Sequence, residues 1–168
     1  MRPRPVPITL RSRTRRPDRR ALRELVTRCL DGEGAPPARG IGLVLGGDRL
    51  LRGLNRRYRG IDRATDVLSF SHDLPPLPPG AGEDEPRLLG EVVVSVPRCL
   101  EQAGARELDP GVELVRLTIH GILHLLGYDH AHPAERAKMV PREQRYRRWA
   151  SSRGIGPGLL RPPGGREP

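Results

Sequence analysis

The stretch His120-Gly-Ile-Leu-His124-Leu-Leu-Gly127-Tyr-Asp-His130 decides how the rest of this 168-residue chain is read. Residues four apart on a helix share a face with their Cβ atoms ~5–6 Å apart, so the imidazoles of His120 and His124 can meet at one ion. Gly127 can adopt the left-handed conformation at the helix end and turn the chain back, which brings His130 to the same point. Closed structural zinc sites usually have four ligands and favour cysteine, whereas three histidines leave a coordination position open to water or substrate. The pattern therefore points to a metal ion used in catalysis and held by His120, His124 and His130. His132 is a rival third ligand, but it lies beyond the turn and before Pro133; it reads as a surface residue, as does the lone loop histidine His72.

The spacing of the three histidines equals that of the extended metzincin protease motif, with one change. Gly121 stands where that motif has its glutamate general base. A peptide hydrolase loses its proton acceptor there. A bound metal can still lower the pKa of water or polarise an oxygen, so hydrolysis stays in view while its target is reopened.

Working outward from the motif, Asp109 followed by Pro110 marks a helix start, and Val112, Val115, Ile119, Ile122, Leu123 and Leu126 mark its buried stripe. Pro97 opens a shorter helix to about Ala105, residues 18–31 form an amphipathic helix, and Asp48 can cap a helix from Arg49 to about Tyr58. Strand composition covers Ile41–Leu45, Thr65–Phe70 and Leu88–Val96, where the run Val92-Val93-Val94 predicts burial on both faces. Residues 5–10 can form a short strand, restricted to an edge by their prolines. Asp73 to Arg87, rich in Pro, Gly and acids, reads as a mobile loop. A basic, weakly amphipathic helix from about Pro133 to Arg148 is expected last, with a disordered Pro/Gly-rich tail over 151–168. The expected fold is α+β: a small mixed four-stranded sheet packed with about five helices, the metal site on a central helix. One domain over residues 1–150 contains it, with residues 1–17 as a basic arm and edge strand.

Hydrophobic residues make up 36% of the chain and aromatics only 3%, so Leu, Val and Ile must build the core around Tyr58, Phe70, Tyr128, Tyr146 and Trp149. No apolar run approaches the ~20 residues of a membrane span, and no apolar signal core follows the N-terminus; a cytoplasmic protein is expected. Cys29 and Cys99 lack metal-type spacing and read as buried small hydrophobes. The net charge of +10 is uneven. Residues 1–20 carry eight Arg against one acid, residues 136–168 carry nine Lys or Arg against two acids, and the stretch between carries 13 bases and 17 acids. Basic ends of this kind either attract a polyanion or simply form a solvated surface.

The residues also resemble the YbeY-type bacterial endoribonucleases, also called rRNA maturation factors, whose signature reads H-G-x-L-H-L-x-G-Y-D-H. His120–His130 matches it at every fixed position. Leu54-Asn55-Arg-Arg-Tyr58-Arg59, followed by Thr65-Asp66-Val67-Leu68-Ser69-Phe70, is similar to the family's L-N-x-x-Y-R and T-D-V-L-S-F, and Leu89-Gly90-Glu91-Val92 is similar to its L-G-D-I. Ser71 and Glu91 depart from the family's usual Pro and Asp. The resemblance implies one divalent metal, zinc first, on the three histidines, and Arg59 as the arginine facing the active-site groove. It implies a single-strand-specific endoribonuclease of ribosomal RNA maturation, acting at the 3′ end of 16S rRNA and in ribosome quality control, with the small ribosomal subunit as partner and no organic cofactor. A guanidinium near the metal can grip a phosphate and stabilise the charge that develops on it. Asp129 can orient a histidine or stabilise the turn. Tyr58 and Phe70 can stack on bases, but so few aromatics read first as core. The competing expectations are a metallopeptidase-like hydrolase and a non-catalytic ribosome assembly factor.

Overall fold

The computed structural model describes residues 4–72 and 86–164. Its elements are, in order, β1 (Ile8–Leu10), β2 (Arg16–Pro17), α1 (Arg19–Gly32), β3 (Arg39–Gly46), α2 (Asp48–Arg59), β4 (Val67–Ser71), β5 (Arg87–Ser95), α3 (Val96–Ala105), α4 (Pro110–Leu125), α5 (Pro133–Ser152) and β6 (Leu160–Arg161). The acidic loop expected over Asp73–Arg87 falls almost wholly on 73–85, outside the described residues, and Arg87 already belongs to β5.

The main sheet has the order β1-β3-β5-β4. Its first two pairings are parallel and β4 runs antiparallel to β5, which makes the mixed four-stranded sheet that the sequence predicts. The five helices of the described residues pack with it. β1 takes one edge, shorter than expected because it starts after Pro5 and Pro7; β4 takes the other. Val92 and Val94 join the large core with α1 and α4, while Val93 meets Leu68 and Leu51 of α2 on the opposite face. The triple valine is buried on both faces, as its composition predicts.

Asp109 caps α4, its side chain accepting from the Gly111 N–H at 2.7 Å. This helix is buried on more than the expected stripe: Leu114, Leu117 and Thr118 are also fully enclosed. The reason is its position, packed at once against α1, α3, α5, β4 and β5. Asp48 is not the cap of α2. Gly47 takes that position, and Asp48, in the first turn, accepts from the Ser95 hydroxyl at 2.6 Å.

The expectation of disorder from Ser151 is corrected. Helix α5 runs on to Ser152, and β6 pairs antiparallel with β2, aligning Leu160 with Pro17. Ile155, Leu159 and Leu160 are buried, and the Asp18 N–H donates to the Leu159 carbonyl at 2.8 Å. Glycine and proline here shape turns that deliver three apolar side chains to the core, so composition alone misreads the segment. Residues 165–168 of the expected tail lie outside the described residues.

Candidate metal centre and substrate groove

Helix α4 carries His120 and His124 on one face, and its end is built to bring back the third ring. The Tyr128 N–H donates to the Leu123 carbonyl and the Gly127 N–H to the His124 carbonyl, each at 3.0 Å. These are the two bonds of a Schellman motif, with Gly127 at φ 94°. Asp129 Oδ1 then accepts from the backbone N–H groups of His130 at 2.6 Å and Ala131 at 3.1 Å. Asp129 therefore stabilises the turn; of its two expected roles, this is the one its contacts serve. The result brings one ligand nitrogen from each of His120, His124 and His130 within 4.8 Å of the others. His124 Nε2 and His130 Nδ1 are 2.9 Å apart. His132 sits at the cap of α5 and is not part of the cluster.

A carboxylate that sequence reasoning missed supports the cluster. Glu143, on α5, lies 2.7 Å from His120, Oε1 to Nδ1. That bond, with the charge of His120 and Arg116 nearby, outweighs partial burial and holds the Glu143 carboxyl below its ordinary range. Glu143 is then an ionised acceptor for the ring N–H, which fixes tautomer and orientation. Burial first, and then repulsion from His120 and His130, lowers the pKa of His124. A neutral imidazole is the form that binds metal, so the donor set fits a divalent ion.

A second carboxylate secures the loop between the ligands. Glu33, at the end of α1, has a side chain only 7% exposed. It accepts from the hydroxyls of Tyr128 at 2.7 Å and Tyr146 at 2.5 Å, and pairs with Arg142 at 3.1 Å and Arg145 at 2.8 Å. Desolvation pushes its pKa up, but these donors together bring it below the usual value. Tyr128 lies between His124 and His130, so Glu33 fastens the ligand loop to the far end of the domain's first helix.

The histidines open into a groove of about 1320 Å³ that is also lined by Tyr58, Arg59, Asp66, Glu91 and the whole of β4. That exceeds the ~300–1,000 Å³ usual for small-molecule pockets. Gly121 faces the sheet. A Cβ there would lie 2.5 Å from Val92 Cγ1 and 3.1 Å from Val67 Cγ2, and the Gly121 carbonyl accepts from the Ser69 hydroxyl at 2.7 Å. No side chain fits at Gly121 without displacing the valine methyl groups beneath it.

Residues 8–149 match the family model described as Endoribonuclease YbeY. The chain belongs to the YbeY family. A curated YbeY endoribonuclease of Chloroflexus aurantiacus is 44% identical over 126 residues, spanning 72% of this chain and 82% of the relative. One from Brevibacillus brevis is 39% identical over 137 residues, spanning 74% and 84%. The solution structure of TM1509 from Thermotoga maritima is similar at a TM-score of 0.56 and 26% identity, covering 96% of this chain and all of that one.

Against the YbeY pattern, both departures sit beside the groove. Glu91 opposes Phe70 across β4 and β5, and Ser71 ends β4. Arg59, the last residue of α2, is exposed and lines the groove. His72 lines it too, outside the three-histidine cluster. Tyr58 corrects the expectation that it is core, since 59% of it is exposed, and its ring stands on Phe70 with centroids 5.1 Å apart. Cys29 and Cys99 are free and buried, as expected.

Proposed function

We propose that this chain is a metal-dependent endoribonuclease that cuts unpaired RNA. The observation that carries the reading is the convergence of three imidazoles in a groove shared with Arg59. The name of its relatives, endoribonuclease, supports it. His120, His124 and His130 would hold one divalent ion, zinc by preference, since neutral imidazoles suit it. When bound, such an ion supplies Lewis-acid polarisation and a lowered pKa for water. Glu143 keeps the His120 ring oriented, and Glu33 with Asp129 keeps the ligand loop in shape. Arg59 grips a phosphate by two N–H groups and offsets the charge that grows on it during attack. The RNA we assign is ribosomal: the 3′ end of 16S rRNA on the small subunit, in the cytoplasm. No helix among the described residues is long and apolar enough to cross a membrane.

The test pairs metal analysis of purified protein with cleavage of single-stranded and duplex RNA. Stoichiometric metal, cleavage confined to unpaired RNA, and loss of both in His124→Ala are expected. Undiminished cleavage by the metal-free variant refutes the role assigned to the cluster. A second reading, peptide hydrolysis, draws on β4, an edge strand lying along the groove where an extended peptide could pair. Chelator-sensitive cleavage of a denatured protein substrate would favour it. Gly121 argues against it, because the metzincin base has no room there.

A further inference from the structure

The apolar stripe of α2 is longer than the surface it covers. Leu51 is fully buried against Leu68 and Val93, Leu54 packs at the margin of the same cluster, and the next position on that face is Tyr58. By then the helix has run beyond its cover, and the Tyr58 ring stands in the groove that holds the three histidines. Phe70 supports it from β4, tilted by 58° and itself packed on the cluster of Leu51, Leu68 and Val93. The Arg57 guanidinium lies over the Tyr58 ring, 5.4 Å from its centroid, as a cation on an aromatic face, and Arg59 is the next residue in sequence.

We infer that Tyr58, seated on Phe70, is a stacking platform for one unpaired nucleobase of the substrate, an inference that rests on the endoribonuclease reading. Charge complementarity and the exposed aromatic ring favour this occupant. An aromatic face takes any base, the Arg57 guanidinium that rests on the ring is free to move to a phosphate when a base takes its place, and Arg59 lines the same groove. The platform also supplies something that the three ligands and Arg59 do not. Histidines, a metal and Arg59 address the phosphodiester, which single and double strands share. A ring that must receive a base face accepts only a base withdrawn from pairing. Tyr58 is therefore the residue that makes the groove prefer single strands.

The test uses the full chain and short RNA oligonucleotides carrying 2-aminopurine at successive positions, with unlabelled duplex of the same sequence for comparison. We expect quenching of the fluorophore at one register in the wild-type protein. Tyr58→Ala should abolish that quenching, raise KM for single-stranded RNA by roughly tenfold and leave kcat little changed, while Tyr58→Trp restores binding. An abasic site at the quenched register should reproduce the Tyr58→Ala defect in the wild-type protein and add nothing to it in the variant. Unaltered KM in Tyr58→Ala, or a loss shared equally by duplex RNA, overturns the inference and leaves the endoribonuclease reading intact. Wild-type protein that neither binds nor cuts RNA overturns both.

Discussion

Glu143 reaches His120 from a helix that the histidine motif does not contain, and its charge is what the ring N–H needs. Glu143→Gln keeps the shape and removes that charge. Metal affinity, measured by chelator competition, should fall about 10- to 100-fold while the melting temperature changes little. At this scale the ligands were legible because a helix forces residues four apart together, and Gly127 announces the turn. Their supports were not. Glu143 and Glu33 act across folds of the chain, and Glu33 sits in a stretch whose Gly and Pro content reads only as loop. Tyr58 was legible only as an aromatic at a helix end, read first as core, because where α2 outruns its cover depends on packing against β4 and β5.

Helix α4 and the strands beneath it fit with no spare volume at Gly121. Gly121→Ala should destabilise the fold by about 1–3 kcal/mol in denaturant unfolding, because the added methyl group must displace Val92 or Val67. Gly121→Glu should fail to create a peptidase for the same reason. The junction of α1, the ligand loop and α5 responds to acid instead. The native pKa of Glu33 is lowered, so its contribution to stability is fully present above about 4.5 and lost as pH falls through the depressed native value. Unfolding measured across acid pH should show a shallower loss in Glu33→Gln than in the wild type. The types and order of the helices and of the main-sheet strands follow from periodicity, and the capping pair Asp109 and Pro110 marks the start of α4 where it lies, whereas the two-residue strands β2 and β6 are too short to show a period. The burial of α4 on so many sides does not follow, since its own stripe says nothing of how many neighbours surround it.

Across the whole molecule, the basic ends are less available than their charge suggests. Arg4, with a side chain 4% exposed, pairs with Asp31 at 2.5 Å and donates to the carbonyls of Ala35, Pro36 and Arg39. Arg142 and Arg145 bind Glu33, and Arg153 binds Glu24. A count of charges cannot tell an enclosed clamp such as Arg4, or a surface cation already paired with an acid, from a free surface field. The segment after α5 is likewise structural. Ending the chain at Gly154 removes the buried side chains of Ile155, Leu159 and Leu160. Each contributes at most about 1.5–3 kcal/mol, so a fall of several degrees in melting temperature is expected by calorimetry. The ribbon of β2 and β6 joins residues about as far apart in sequence as this chain allows, and it aligns Arg16 with Arg161, two like charges, across the pairing. Such a contact closes late on the ribosome, since its second strand emerges from the exit tunnel after every other described element has been synthesised. Local opening of the native protein would begin at this clasp, a two-residue pairing that sets like charges opposite each other, sooner than at the enclosed histidine helix.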